Sequence, residues 1–172
     1  MTILKTAILT FIALVMQIGI AVAQDDSSSG QQQKVGAEGV WQTKMGKSHV
    51  KIIECGASLC NEIIWLKQPN DKAGRPHTDK LNVNSSQRGR PILGLSVLTN
   101  TKQVNKGYWR GRIYDPERGK SYMALIKLLS PEKLQVKGCL NMGPPFCKTH
   151  IWKKIGSVED YEKLTGRKTA NQ

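Results

Sequence analysis

Residues 50–66, VKIIECGASLCNEIIWL, constrain the fold more than any other stretch of the chain. Two runs rich in β-branched residues flank a Gly-Ala-Ser turn, and a cysteine stands on each side of it, Cys55 and Cys60. That pattern predicts a β-hairpin. If the two strands pair, the thiols face each other, and a bond between them fixes the register.

Cysteine usage also bears on the compartment. There are four cysteines, Cys55, Cys60, Cys139 and Cys147. The chain opens MTILKTAILTFIALVMQIGIAVAQ, with Lys5 ahead of an apolar run and Ala21-Val22-Ala23 as an A-x-A cleavage signal. Residues 1–23 are therefore expected to be a secretory signal peptide. The apolar run is short for a bilayer span and is interrupted by Gln17. Export to an oxidising compartment makes two disulfides the expectation. Three pairings are open. The two local ones, Cys55–Cys60 and Cys139–Cys147, are favoured because each pair brackets a turn between strand-like runs. A zinc site is disfavoured, since neither spacing is C-x-x-C.

Residues 24–37, QDDSSSGQQQKVGA, are too polar to offset their ordering entropy and read as a flexible leader. From residue 38 to 155 the pattern becomes short β-rich runs split by Gly, Asn, Pro and Lys. Eight strands are predicted, over 39–44, 48–54, 60–66, 92–99, 107–114, 122–129, 133–140 and 147–155. Leu134, Val136 and Gly138 form one inward set, and Trp109, Gly111 and Ile113 another. Glycines at inward positions imply tight bends or close backbone contact. Turns at Met45-Gly-Lys47, Asp115-Pro-Glu-Arg-Gly119 and Ser130-Pro-Glu-Lys133 connect neighbours. Strands joined by tight turns favour an up-and-down antiparallel meander. Closure into a barrel would remove its exposed edges; a sandwich is the alternative. Residues 156–172 are expected to hold a short helix, N-capped by Ser157 and running to about Leu164, and a frayed tail.

The long connection, 67–91, carries the best polar constellation: Asp79, Asn82, Arg88 and Arg90. The arginines suit recognition of a carboxylate or phosphate through paired hydrogen bonds. Equally, Asp79 suits pairing with an arginine to pin the loop, and this structural role is the favoured one. If the barrel is hollow, Ile64, Leu95, Val97 and Trp109 would line it, with Ile113, Leu125 and Val136. Gly119-Lys120-Ser121 lacks the earlier glycine and following helix of a phosphate loop. The histidines, His49, His77 and His150, are dispersed, and no nucleophile motif is present. The run Tyr108-Trp-Arg-Gly-Arg112 could stack bases, but export argues against nucleic acid. Formal charge is +13, or +12 once Lys5 leaves with the signal, which suits anionic partners; because the basic residues are scattered and not massed in one run, a solvated surface is the favoured reading.

Several of these elements together resemble an uncharacterised bacterial family, domain of unknown function 2147. The matching stretches are Gly39-Val-Trp41, Cys55-Gly-x-x-Leu-Cys60 with Ile63-Ile-Trp65-Leu66, Asp79-x-x-Asn82, Arg88-Gly-Arg90-Pro91 with Gly94, Ile113-Tyr-Asp-Pro116 with Gly119-Lys-x-Tyr122, Gly138-Cys139 and Trp152. The resemblance implies an exported, lipocalin-like barrel with no established activity. The chain departs from it at three positions. Asn61 stands where a glycine is usual, Val83 where a proline is, and Lys154 where an arginine is. Gly39-Val40-Trp41 also resembles the Gly-x-Trp opening of lipocalins, which makes Trp41 an apolar plug closing one barrel end, capped by Lys153 or Lys154 over its ring.

The resulting expectation is all-β: an eight-stranded up-and-down antiparallel lipocalin-like barrel with a short C-terminal helix, periplasmic or secreted. It would be a non-enzymatic module holding a small, partly apolar or amphipathic molecule, with Asp79, Asn82, Arg88, Arg90 and Trp109 as candidate contacts. The alternative is an interaction protein whose basic outer face takes an anionic envelope polymer or host surface. No cofactor, metal, nucleic acid or membrane span is expected after the signal.

Overall fold

The computed structural model describes residues 36–140 and 146–166. The stretch read as a signal peptide, most of the stretch read as a leader and the last residues of the tail lie outside the described residues. Eight strands form one antiparallel sheet. They are β1 (Gly39–Gln42), β2 (Ser48–Cys55), β3 (Ser58–Leu66), β4 (Leu98–Asn105), β5 (Tyr108–Asp115), β6 (Lys120–Ser130), β7 (Lys133–Cys139) and β8 (Cys147–Gly156). Helix α1 (Val158–Thr165) follows, with the Asp160 amide donating to Ser157 Oγ at 3.0 Å and Gly166 closing it at φ 65°. The sheet order β3-β2-β1-β8-β7-β6-β5-β4 leaves β3 and β4 as the edges.

Those edges meet in a seam that closes the barrel almost completely. Two buried polar side chains replace much of the missing ladder. Asn61 Oδ1 accepts from the amides of Val97 and Leu98, each at 2.9 Å, and Asn61 Nδ2 donates to the Leu98 carbonyl at 2.6 Å. Thr101 Oγ1 accepts from the Leu59 amide at 2.7 Å. Backbone bonds join in at both ends of the seam, from Gln103 to Ala57 and between Ile63 and Gly94 and Leu95. Unpaired backbone groups at a buried edge are costly, so a side chain offering both donor and acceptor is a physical solution.

Cys55 bonds Cys60 across the β2–β3 turn, and Cys139 bonds Cys147 across paired positions of β7 and β8. Both local pairings expected from the sequence are therefore present. Seven of the eight strands lie close to their expected positions. The fourth does not: β4 runs over Leu98–Asn105, and the apolar stretch 92–97 is loop. Pro91 and Gly94, the latter at φ 88°, break that stretch, while Leu95 and Val97 still enter the core. Strand β4 itself is polar because it is an edge, with only Leu98 and Thr101 buried. A second difference concerns the leader. Ala37 is fully buried, its amide donating to Glu54 Oε1 at 2.9 Å, so packing begins within the stretch read as flexible.

Large buried side chains project into the interior. Trp41, Trp109, Ile126, Leu134 and Val136 are at most 1% exposed, and Trp152 is 4% exposed. Gly111, Ala124 and Gly138 stand in register across β5, β6 and β7. This row of small inward residues is used. A Cβ on Gly111 would lie 2.8 Å from the Thr101 Cα, so β4 crosses there at backbone contact distance. Val97, Trp109 and Val136 are core rather than cavity wall, Leu95 joins the same core at its rim, and Ile113 packs against them. Ile64 and Leu125 do not point inward; Ile63 and Ile126 take those places.

Trp41 is held at both ends of its indole. Its Nε1 donates to the Ala37 carbonyl at 2.8 Å, and Lys154 Nζ stands 5.7 Å above the ring. The cap is therefore Lys154 rather than Lys153. The fourth tryptophan, Trp65, is 38% exposed on the outer face, stacked on His49 at 4.3 Å, and Tyr161 of α1 meets the same histidine edge-on.

Candidate functional site

The connection between β3 and β4 is ordered around one buried carboxylate. Asp71 begins it by accepting from the amides of Ala73 and Arg75. Two isolated bridges, Asn70 with Pro76 and Thr78 with Pro91, then fold the loop back on itself. At its centre Asp79 is fully buried. Arg90 Nε and Nη2 donate to Asp79 Oδ2 at 3.0 and 2.8 Å, and Asn82 Nδ2 donates to the same oxygen at 2.7 Å. The Tyr114 hydroxyl of β5 donates to Asp79 Oδ1 at 2.5 Å, and the Arg90 guanidinium lies 5.8 Å over the Tyr114 ring. Burial, and then the hydrogen bond to the Asp79 carboxylate, push the Tyr114 phenol up to about 12.

This cluster pins the loop to the barrel. Gly119, in the β5–β6 turn at φ 63°, completes the contact, because a Cβ there would sit 1.8 Å from the Leu81 carbonyl oxygen. Glycine is required both by the backbone angle and by the approach. Asp79, Asn82 and Arg90 are thus brought together. Arg88 stands beside them, donating through Nε to the Asn82 carbonyl at 2.8 Å, but does not touch Asp79. Trp109 is elsewhere, in the core.

Against the pinned loop lies a cleft of about 750 Å³. Its walls come from the start of β4 (Thr99), the end of β5 (Arg112, Tyr114), the start of β6 (Lys120 to Tyr122), Leu140 beyond β7, and loop residues Asn82, Val83, Gln87, Arg90, Leu95 and Ser96. In an antiparallel barrel all these positions fall at one end, so the cleft opens at the rim and not inside the cylinder. Among the described residues, three cations, Arg90, Arg112 and Lys120, line it, and no carboxylate does. Arg112 is exposed, with Nη2 donating to the Ser121 carbonyl at 3.3 Å. Leu95, Val83 and Leu140 supply apolar surface. Among the described residues, no cluster of His, Cys, Asp or Glu could hold a metal.

Tyr114, Arg112, Lys120 and Tyr122 were not among the candidate residues. Tyr114 and Tyr122 do lie in the matching stretches Ile113-Tyr-Asp-Pro116 and Gly119-Lys-x-Tyr122, where turn chemistry accounts for Asp, Pro and Gly but not for the tyrosines. That residue was the available signal.

Residues 39–154 match the model of a family described as an uncharacterized protein conserved in bacteria, DUF2147. The chain belongs to the DUF2147 family. A solved structure adds the fold comparison: protein HP1028 from the human pathogen Helicobacter pylori, which belongs to the lipocalin family. It is 26% identical, with a TM-score of 0.61 over 78% of this chain and 92% of that one. No curated protein matches the chain. This member of DUF2147 is thus a lipocalin-like barrel. Of the three positions singled out in the sequence, Asn61 closes the seam, Lys154 caps Trp41, and Val83 is an exposed wall of the rim cleft.

Proposed function

We propose that this DUF2147 protein is an exported, non-enzymatic binding module for a small, partly apolar anion, held in the rim cleft. One observation carries the reading: Arg90, Arg112 and Lys120 converge on a cleft that also offers Leu95, Val83 and Leu140 and no carboxylate. A concave site with apolar walls and a few placed cations suits a carboxylate or phosphate with a hydrocarbon portion. Asp79 and Asn82 act from behind, by fixing Arg90 and Tyr114; Arg88 supports the loop. The packed interior argues for the rim over the cylinder, and Trp109 then serves the fold. Two disulfides support an oxidising location. Among the described residues no helix is long and apolar enough to cross a membrane.

The test is titration of the folded protein with anilinonaphthalene sulfonate, an apolar anionic dye. Arg112→Gln with Lys120→Gln should weaken binding roughly tenfold or more, and Trp109→Phe should leave it unchanged. Dye binding that ignores the double variant overturns the reading, as does no dye binding at all.

A further inference from the structure

Away from the rim, the outward positions of β4 to β8 carry Lys102, Arg110, Lys127, Lys133, Lys137 and Lys153. The registers place them side by side: Lys102 opposite Arg110, Arg110 opposite Leu125, Leu125 opposite Lys137, and Lys133 opposite Lys153. No outward position of these strands is Asp or Glu. Among the described residues none of these six cations is in an ion pair; the pairs seen involve Lys47, Lys51, Arg75, Arg90 and Arg118. The same face exposes aliphatic side chains between the charges. Leu129, Ile151 and Ile155 are each more than 40% exposed, with Ile151 opposite Gln135 and Lys153 between the two isoleucines.

Four of these charges, Lys127, Lys133, Lys137 and Lys153, share the neighbouring strands β6 to β8 on one side of the barrel; they repel one another and are retained at a cost in stability unless a partner of opposite sign is met. A soluble polyanion would satisfy the charges but has no use for bare isoleucine and leucine. A surface presenting phosphates at the top and hydrocarbon just below satisfies both. We infer that the outer face of β6–β8 docks on an anionic lipid surface, with Lys127, Lys133, Lys137 and Lys153 at the headgroup phosphates and Leu129, Ile151 and Ile155 at the acyl boundary. This inference is independent of the rim cleft: it uses neither Arg112 nor Lys120.

The experiment is co-sedimentation of the purified chain, its N-terminus checked by mass spectrometry, with vesicles of phosphatidylcholine alone or with a third phosphatidylglycerol. Binding is expected only to the anionic vesicles and should weaken steeply with salt. Lys127→Gln/Lys137→Gln/Lys153→Gln should reduce it on the order of a hundredfold. Lys67→Gln/Lys72→Gln/Lys80→Gln, an equal loss of charge in and beside the long β3–β4 connection, should reduce it only a few-fold. Ile151→Ser/Ile155→Ser should weaken vesicle binding while leaving adsorption to inorganic polyphosphate unaltered. Equal losses for the two lysine triples would mean net charge alone acts and would overturn the inference. So would polyphosphate binding without vesicle binding, or vesicle binding indifferent to the serine pair.

Discussion

Asn61 on β3 and Leu98 on β4 exchange two hydrogen bonds through one side chain, the amide nitrogen giving to the Leu98 carbonyl at 2.6 Å and the amide oxygen taking its N–H at 2.9 Å. This contact stands where two sheet edges would otherwise face each other unpaired.

Asn61→Ala should therefore open the seam. It strands the buried amides of Val97 and Leu98, at ~1–3 kcal/mol for each group left unsatisfied. The denaturation midpoint should fall accordingly, and the Leu98 amide should exchange faster than those of β6 and β7. An unchanged midpoint would mean that water or the backbone closes the gap instead.

Asp79→Ala removes the acceptor of three side chains. Arg90 stays partly exposed and can rehydrate, so the loss should be about 2–3 kcal/mol, below the full cost of stranding a buried charge. Cleavage by trypsin within the loop between β3 and β4 should accelerate. Asp79→Asn, which keeps the shape but loses the charge, should fall between the two.

Alkali should weaken the protein through Tyr114. Its phenol is pushed to about 12 in the fold, against ~10 when unfolded. The folded state holds that proton more tightly, so this contribution is complete below pH ~10 and is lost as pH rises from there through about 12. Tyr114→Phe should flatten the fall in stability across that interval, read by denaturant titration at a series of pH values.

Acid should weaken it through His49. Burial lowers the pKa of this imidazole, and its Nδ1 is buried without a partner among the described residues. The unfolded state binds the proton more readily. The contribution is therefore complete above the unfolded value of ~6.5 and is lost as pH falls below it. His49→Phe, which keeps the stack on Trp65, should shift the acid limb of the stability profile downward in pH.

Trp41→Ala should cost about 3–5 kcal/mol, the range for deleting a buried indole. Lys154→Met, which keeps the stem but removes the charge over the ring, should cost no more than ~1 kcal/mol. A larger effect at Lys154 than at Trp41, measured by thermal unfolding, would reverse the assignment of plug and cap.

The clamped hairpin, both cystine pairs and seven strands were legible because period-two alternation and turn residues act locally. Strand β4 was not, because an edge strand with one face in water carries too little apolar signal, while 92–97 carries much and folds as loop. Ile64 and Leu125 were misassigned for a related reason. In Ile63-Ile64-Trp65 the contiguous apolar run hides the parity, and the residue that would settle it, Asn61, is a buried polar one. At the site, Asp79 and Arg90 were readable as opposite charges on one loop. Tyr114 was not, since it arrives from a strand 35 residues away, and the cleft exists only once that loop is pinned to the β5–β6 turn.

The four indoles are sorted by compartment. Trp41, Trp109 and Trp152 sit in the dry cylinder, and Trp65 sits outside against the imidazole of His49. A neutral quencher such as acrylamide should therefore reach one emitter in four. The interior population reports on closure of the cylinder, and the exterior one on docking of the C-terminal helix. The native chain carries two optical channels without a label.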